Sequence, residues 1–332
     1  MNKDSTISLI RLISIIMIIS CHVLQGIGNE AAYWVNIGVQ IFFFTSGYLY
    51  GKKEISNYID FFKSRLKKIL LPTFIIVLIM IVVEKLFLHI SHHPLHILCN
   101  ILGLGGFSST MYSLSHTWFI SYILICYLIT PILQTLFKNS NNKLITLFWC
   151  MATLIIFKYF GIISINEIWI INYILGYFFS NCCTSDKKQK YFFVIISGLA
   201  IILLPLTVAV QENMFNFLPT ATSYFGSQIL ALEHVLLGCT LFIVFYEIFS
   251  KLNIKYNSIL KFSDKYSFFV YLTHQIFILR DFSVLNLTNN LFVNILFIIT
   301  LSILSGVGLY YIYRLVCHFL ENIHKKKIVQ NI

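Results

Sequence analysis

Charged residues are scarce in this chain: 11% of its 332 residues are charged, whereas 58% are hydrophobic. A soluble globular domain has about 25% charged and about 45–50% apolar residues. The scarcity of charge therefore excludes a soluble enzyme or binding module, and it predicts an all-α protein that crosses a membrane repeatedly. We expect a single integral-membrane domain over residues 1–332, with no appended soluble domain.

Common catalytic signatures are absent too. The chain has no Gly-rich phosphate loop, no G-x-S-x-G elbow and no H-E-x-x-H sequence. Its eight cysteines are scattered without metal-type spacing, so we expect neither a disulfide framework nor a cysteine metal site. Polar residues inside the apolar segments remain as the candidates for chemistry.

Acidic residues are also few, because 13 Asp and Glu stand against 24 Lys and Arg, for a formal net charge of +11. Such an excess can indicate a nucleic-acid partner, but here the basic residues lie in short loops between apolar segments, as in membrane proteins. With the N-terminus inside, only Lys85, Lys158 and Arg280 fall towards the outside. We therefore expect both termini in the cytoplasm, contact with membrane lipids and no nucleic-acid partner.

Apolar segments recur along the chain, and we interpret about ten of them as transmembrane helices. They are 7–25, 34–50, 69–88, 117–137, 144–161, 167–181, 191–209, 228–249, 267–281 and 291–315. The sixth and the ninth are short for a span, which suggests a tilted or broken helix at those places.

The first span contains a cation and an imidazole, Arg11 and His22. A charge on a membrane helix is costly and marks a functional site by default. The two positions are separated by about 16 Å along a helix axis and by about 20° around it, so both side chains share one face. This geometry suits a pathway that handles an anion at its inner end and does proton chemistry in its outer half.

The most basic loop, 51–71, precedes the third span and contains Arg65 and Lys68, which are three residues apart and hence on one helical face. One interpretation is an amphipathic helix that lies on the membrane surface. The other is a clamp for the phosphates of a cytoplasmic cofactor.

Further candidates lie in the outer loop and in later spans. The segment 89–116 is rich in histidine, but its ligand set is incomplete, so we expect an interfacial loop and no bound metal. Trp118 and Tyr122 fit an outer aromatic belt. Glu233 in the eighth span is either part of a structural pair or a functional carboxylate. His274 in the ninth is either functional or a buried histidine bonded to a backbone carbonyl.

Four segments, in order along the chain, resemble one family. They are Arg11-x10-His22; GVQIFFFTSGYLYGKK, Gly38 to Lys53; FFKSRLKKILLP, Phe61 to Pro72; and SFFVYLTHQIF, Ser267 to Phe277. Together with HTWFISYILICYL in the fourth span, they are similar to the signature segments of the integral-membrane acyltransferase family 3, which includes O-antigen and capsule O-acetylases. Two positions depart from the family pattern, since Lys68 stands where arginine is common and Phe268 where tyrosine is common.

This resemblance implies transfer of an acyl group, usually acetyl, from cytoplasmic acyl-CoA to a hydroxyl of a surface or lipid-linked polysaccharide in a bacterial inner membrane. Acyl-CoA is then a donor substrate, and no cofactor is bound permanently. We expect His22 to act as general base, with an acyl-histidine intermediate as the less favoured variant. Arg11 would orient the thioester or stabilise developing charge, and Arg65 with Lys68 would hold the CoA phosphates. The expected lining of the acceptor side is Trp118, Tyr122, Glu233, Tyr271 and His274.

Two hypotheses from other classes stay open. A transporter or flippase for a glycan or an acylated intermediate also needs buried polar residues in a helical bundle. It predicts flux without consumption of acyl-CoA. A passive scaffold of a polysaccharide synthesis complex predicts that Arg11 and His22 can be replaced without effect.

Overall fold

A computed structural model describes residues 4–160, 167–183, 185–212, 219–252 and 254–330 of the chain. In these residues the regular structure is helical throughout, as the sequence predicted, with no β-strand. The α-helices are α1 (Ser5–Gly26), α2 (Ala32–Val35), α3 (Ile37–Gly51), α4 (Tyr58–Phe87), α5 (Pro94–Ile101), α6 (Trp118–Asn139), α7 (Lys143–Tyr159), α8 (Glu167–Cys182), α9 (Asp186–Gln211), α10 (Pro219–Lys251), α11 (Ser258–Thr273) and α12 (Leu291–Gln330). Short 3-10 helices cover Gly105–Phe107, Tyr112–Thr117 and His274–Phe277.

Six helices in the described part of the chain are long and apolar enough to cross a membrane. They cover Ser5–Gly26, Tyr58–Phe87, Tyr112–Asn139, Asp186–Gln211, Gly226–Lys251 and Leu291–Ile323. The other four predicted spans fall on α3, α7, α8 and α11, which have 15, 17, 16 and 16 residues. The count of ten spans and the cytoplasmic location of both termini stay predictions. Residue 161, the predicted end of the fifth span, and the basic residue Lys3 lie outside the described residues.

Two helices differ in their bounds from the predicted spans. α4 begins at Tyr58 rather than at residue 69, so the basic segment is the first part of one 30-residue helix and not a separate surface helix. Lys and Arg are good helix formers, and a drop in hydropathy therefore does not end a helix. α11 ends at Thr273, and the 3-10 turn His274–Phe277 replaces the predicted continuation to residue 281.

Polar side chains at the helix starts explain where several helices begin. The first N–H groups of an α-helix lack partners, and Asn, Asp or Ser side chains can accept hydrogen bonds from them. Asp4 accepts two such bonds at the start of α1, at 3.0 and 3.3 Å. Asn290 does the same at the start of α12, and Asn142 and Ser185 cap α7 and α9.

Contacts divide the chain into two compact units. The first comprises Met1–Cys21, Tyr33–Tyr58 and Ile125–Leu260, and the second comprises His22–Ala32, Ile59–Leu124 and Lys261–Ile332. The expectation of a single domain over residues 1–332 stays a prediction.

In the first unit, the backbones of α3 and α8 approach each other closely. A Cβ atom at Gly47 would lie 2.8 Å from the carbonyl carbon of Tyr173, and one at Gly176 would lie 3.0 Å from Phe44 Cα. Only glycine permits this approach, because any side chain would overlap the backbone of the partner helix. Aromatic rings fill the space around the contact, and the ring centroid of Phe44 lies 4.6 Å from that of Phe242 in α10.

In the second unit, α11 packs closely against α12. A Cβ atom at Gly306 of α12 would lie 2.7 Å from Val270 N and 2.8 Å from Val270 Cα. The Thr273 hydroxyl at the end of α11 donates to Ser302 O of α12 at 3.3 Å. These contacts fix the end of α11 and the 3-10 turn that follows it.

Candidate functional site

Three histidines from separate parts of the chain lie in ring contact inside the second unit. The ring centroids of His22 and His274 are 5.3 Å apart, and those of His274 and His116 are 4.9 Å apart. His22 is half-buried, whereas His116 is 1% and His274 0% exposed. His274 therefore connects a partly accessible imidazole to an enclosed one, and we call the three residues the histidine file.

The first member of the file, His22, lies near the C-terminal end of α1. Its Nδ1 is 2.8 Å from Oε1 of Gln25 in the same helix. An amide oxygen only accepts hydrogen bonds, so Nδ1 carries a proton and donates it. Neutral His22 then keeps its lone pair on Nε2, which is what a general base requires.

The middle member, His274, is the first residue of the 3-10 turn after α11. Its Nδ1 donates to Tyr271 O at 2.6 Å. The last carbonyls of an α-helix lack backbone donors, and the imidazole takes the place of one such donor. The sequence analysis offered a buried histidine bonded to a backbone carbonyl as one of two interpretations of His274, and the structure contains this bond.

The enclosed member, His116, is held by Gln275. Oε1 of Gln275 accepts three hydrogen bonds: from the Ser115 hydroxyl at 2.7 Å, from the His116 backbone N–H at 2.8 Å and from His116 Nδ1 at 2.9 Å. A backbone N–H can only donate, which fixes the orientation of the amide and makes Nδ1 a donor too. In addition, the Tyr271 hydroxyl donates to His116 O at 2.5 Å.

Buried polar side chains hold the 3-10 segment Tyr112–Thr117, which carries His116. Glu84 of α4 accepts the Ser113 N–H at 2.8 Å and also pairs with Nε2 of a histidine in the outer segment. Asn100 of α5 bonds to two backbone groups just before this segment, at 2.7 and 3.3 Å. Burying an unpaired amide costs roughly 2–7 kcal/mol, so these bonds determine the path of the segment.

All three imidazoles therefore have the same polarity. In each ring Nδ1 donates to an oxygen, either of a glutamine amide or of a backbone carbonyl, and Nε2 holds the lone pair of the neutral ring. These oxygens carry no formal charge, so the rings can gain and lose protons without breaking an ion pair. The arrangement suits the removal and transfer of protons.

The structure brings some of the sequence-predicted residues to the histidine file. The ring centroid of Tyr271 lies 5.1 Å from that of His116 and 5.6 Å from that of His274. Trp118 and Tyr122 lie near the start of α6, with ring centroids 5.9 Å apart. Tyr122 is buried rather than exposed in an aromatic belt.

The proposed phosphate clamp lies on α4 of the same unit. Arg65 is half-buried, with its guanidinium 5.7 Å from the ring centroid of Phe61, and Lys68 is exposed. Both side chains lie on one helix at the predicted spacing. Their contact with a cofactor stays a prediction.

Arg11 and Glu233 belong to the first unit. α1 continues without a break through Arg11 to Gly26, as the sequence predicted. Glu233 is buried in α10, and the ring of the next residue, His234, lies 4.1 Å from that of Tyr33. Adjacent side chains of a helix point about 100° apart. The contact of His234 with Tyr33 therefore does not define the surroundings of the Glu233 carboxylate, and the role of Glu233 stays a prediction.

Sequence reasoning missed two members of the site, His116 and Gln275. His116 was grouped with the outer histidines, and Gln275 lay inside a signature segment without a role. His116 is a polar residue at the edge of an apolar segment and Gln275 is one inside such a segment, and a polar residue in that position is the signal that could have found them. Their partnership could not be found in this way, because the two residues are 159 positions apart.

The histidine-rich segment 89–116 has other partners. His92 pairs with Glu84, and His93 accepts from Leu95 N at the start of α5. Among the described residues, no group of three or more His, Cys, Asp and Glu is arranged to hold a metal ion.

Comparison with known proteins gives the reaction class. The family model described as an acyltransferase domain, that of acyltransferase family 3, matches residues 4–314. Comparisons with curated proteins and with solved structures found no match. The matched range includes the four segments quoted from the sequence and all three residues of the histidine file. The chain therefore belongs to acyltransferase family 3.

Proposed function

We propose that this membrane acyltransferase moves an acyl group, most simply acetyl, from cytoplasmic acyl-CoA to a hydroxyl of a cell-surface or lipid-linked polysaccharide in a bacterial inner membrane. The family supports the general reaction class and favours an enzyme over a transporter or a scaffold. The observation that carries the proposal is the hydrogen bond from His22 Nδ1 to Gln25, which leaves Nε2 available as a base at a half-buried position.

In the proposed reaction, His22 Nε2 takes the proton of the acceptor hydroxyl as its oxygen attacks the thioester carbon. The O–C bond forms and the C–S bond breaks, and protonated His22 returns the proton to the CoA sulfur, so that CoA leaves as a thiol. A neutral imidazole near pH 7 suits this task, and a positioned base contributes about 10²–10⁴-fold to the rate. Arg11 is proposed to orient the thioester or to stabilise its developing negative charge.

The decisive experiment uses purified protein in liposomes with radiolabelled acetyl-CoA and a lipid-linked glycan extract. His22→Asn keeps a donor near the position of Nδ1 but has no equivalent of Nε2. We expect label in the glycan with the wild type and at least a hundredfold slower transfer with His22→Asn, in line with loss of a base worth about 10²–10⁴-fold. His96→Asn, which changes an exposed histidine in α5, serves as the matched control.

Two results would count against this proposal. Wild-type transfer rates in a well-folded His22→Asn variant would remove His22 as the base. Glycan flux without loss of acyl-CoA would favour the transporter hypothesis instead. A radiolabelled acyl group that stays on the protein in the absence of glycan would select the acyl-histidine variant of the mechanism.

The donor side is tested separately at α4. Guanidinium and ammonium groups bind phosphate by charge-assisted hydrogen bonds, so Arg65→Ala and Lys68→Ala should raise KM for acyl-CoA several-fold with little change in kcat. Lys67→Ala is the control, because Lys67 pairs with Glu321 at 3.4 Å. Unchanged KM in both test variants would refute the clamp.

The acceptor side is proposed to include Trp118, Tyr122, Glu233, Tyr271 and His274. Of these, Tyr271 and His274 have the strongest support, because His274 belongs to the histidine file and Tyr271 is in ring contact with His116. Loss of either is expected to reduce transfer without changing KM for acyl-CoA.

A further inference from the structure

A groove opens between the start of α9 and the end of α10 in the first unit, with a volume of about 550 Å³. Ligand pockets in proteins commonly have about 300–1,000 Å³, so the groove is large enough for a small polar group. The first turns of α9 contain Lys187, Lys188 and Lys190, which place this end of the helix at the cytoplasmic surface in the predicted orientation. We therefore expect the groove at the level of the lipid headgroups.

Four charged side chains line the groove: Asp186 and Lys190 of α9, and Glu247 and Lys251 of α10. In each helix the acid and the base are four residues apart and hence on one face. Asp186 lies in the first turn of α9 and Lys251 in the last turn of α10, so the two helices run in opposite directions along the groove. Each level of the groove therefore carries one acid and one base, and the four charges sum to zero.

These charges do not neutralise each other across the groove. Within the ranges that the structure describes, no ion pair joins α9 to α10, and the four residues form one ion pair, between Lys251 and Glu247 of α10, at 3.5 Å. The side chains of this pair are 78% and 51% exposed, and exposed pairs contribute about 0–1 kcal/mol. A ligand that carries charges of both signs can therefore replace this pair easily.

Apolar side chains form the rest of the lining, namely Phe193, Ile243, Val244 and Ile248. Ile243 is buried, whereas Ile248 is exposed. Next to the groove, α9 presents an exposed apolar side, on which Val194 and Ile201 are 63% and 70% exposed. The groove thus combines charged groups with apolar surface that continues along the helix, which matches a molecule with a charged head and a hydrocarbon tail.

We propose that the groove is a binding site for a zwitterionic phospholipid with a primary ammonium group, of the phosphatidylethanolamine class. The phosphate lies between Lys190 and Lys251, and the ammonium lies between Asp186 and Glu247. The acyl chains follow the exposed apolar side of α9. The inference does not depend on the proposed acyl transfer.

The balance of charge in the groove selects this headgroup. An anionic lipid, or the phosphates of acyl-CoA, would meet two lysines but also two carboxylates, and like charges repel. A primary ammonium donates up to three hydrogen bonds, and charge-assisted bonds to carboxylates are strong. The quaternary ammonium of choline has no N–H and cannot form them. The soluble headgroup alone would leave the apolar lining uncovered.

Native mass spectrometry of delipidated protein in detergent tests the site through the first lipid that binds. The probes are phosphatidylethanolamine, phosphatidylcholine and phosphatidylglycerol with identical acyl chains. We expect the wild type to bind the first of them about tenfold more tightly than the other two, because hydrogen bonds between charged groups are worth about this factor or more.

Two double variants exchange the preference. Asp186→Asn with Glu247→Gln removes the carboxylates and keeps the lysines, so phosphatidylglycerol should become the preferred lipid. Lys190→Gln with Lys251→Gln removes the ammonium groups, and we expect about tenfold weaker binding of phosphatidylethanolamine without a gain for phosphatidylglycerol. All four side chains are exposed, so the fold should tolerate both variants.

Lys188→Gln is the matched control. Lys188 lies in the same part of α9 and is exposed, but it does not line the groove. Its removal should leave the order of the three lipids unchanged. A second test fills the groove and keeps its charges: Val244→Phe should weaken binding of phosphatidylethanolamine severalfold, because the larger side chain takes space from the headgroup.

Three results would overturn the proposal. Equal affinity of the wild type for the three lipids would show that the groove does not read the headgroup. Tightest binding of phosphatidylglycerol by the wild type would show general attraction of anionic lipids to the basic segment. Equally tight binding of soluble glycerophosphoethanolamine would show that the site takes a water-soluble ligand. These readouts need no acyl transfer, so failure of the proposed reaction leaves the test intact.

Discussion

The protonation of His22, the residue proposed as base, depends on the group that accepts the hydrogen bond from its Nδ1. Gln25 supplies a neutral oxygen there, at 2.8 Å. A carboxylate in the same place would favour the protonated ring, because an anion stabilises a neighbouring cation. The neutral amide therefore keeps His22 available as a base at a lower pH than an acidic residue would.

We predict that Gln25→Glu shifts the acid limb of the pH–rate profile towards higher pH. At a pH below this limb the variant should be at least several-fold slower than wild type, and above it the two rates should converge. The measurement is acyl transfer in liposomes over a series of buffers. A profile identical to that of the wild type would show that the bond to Gln25 does not control the base.

How far single residues could be predicted is shown by His22 and His116. His22 was found because a histidine inside an apolar run is conspicuous and because its spacing from Arg11 follows helical geometry. His116 lies at the boundary of such a run, where histidine is unremarkable. Its importance depends on Gln275, and a contact of this kind is determined by tertiary packing and not by local sequence.

At the scale of single elements, the 3-10 segment Tyr112–Thr117 depends on one buried carboxylate, Glu84, which accepts from Ser113 N. We predict that Glu84→Ala destabilises the protein by about 3 kcal/mol, because it leaves buried partners without their charge and acceptor. Glu84→Gln keeps an oxygen that can accept from Ser113 N, so we expect a smaller loss of stability than for Glu84→Ala. Thermal unfolding in detergent measures both.

Glu321→Ala is the control for this prediction. Glu321 also pairs with a cation, but its side chain is 61% exposed, and exposed ion pairs contribute little. We expect no measurable shift of Tm in that variant. Equal Tm values for Glu84→Ala and Glu321→Ala would contradict the role of the buried carboxylate.

The contact between α11 and α12 gives another prediction at this scale. Gly306→Ala places a Cβ 2.7 Å from Val270 N and should destabilise by about 1–3 kcal/mol through overpacking, with a parallel loss of transfer since α11 carries the His274 turn. Gly308→Ala on the same helix meets nothing within 4 Å and should be neutral or stabilising. Similar unfolding temperatures for the two variants would show that the close approach is not needed.

The bounds of a helix were predictable where the helix begins and ends with its apolar segment, as in α1. They were not predictable where the helix extends beyond the apolar segment or stops within it. α4 extends through its basic first part because Lys and Arg form helices well. α11 stops at Thr273 inside an apolar segment, where a side chain, His274, rather than a change in composition supplies the terminal donor.

For the whole molecule, the distribution of Lys and Arg predicts both termini in the cytoplasm. A reporter that is active only outside the cytoplasm should be active when inserted at Asn289, between the ninth and tenth predicted spans. The same reporter should be silent when fused after residue 332. Activity at both positions, or at neither, would show that the segment 291–315 does not cross the membrane, and activity only after residue 332 would place the C-terminus outside.

The bond between His116 and Gln275, across 159 positions of chain, also has a consequence for biosynthesis. At a synthesis rate of about 5–20 residues per second, Gln275 is made about 8–30 s after His116. During that interval the His116 backbone N–H lacks its acceptor, whereas Glu84 and Asn100, which precede the segment, are already present to hold it. A ribosome-bound chain that ends before Gln275 therefore cannot contain the bond that holds His116, and the segment that carries His116 is completed only when the last part of the chain has been made.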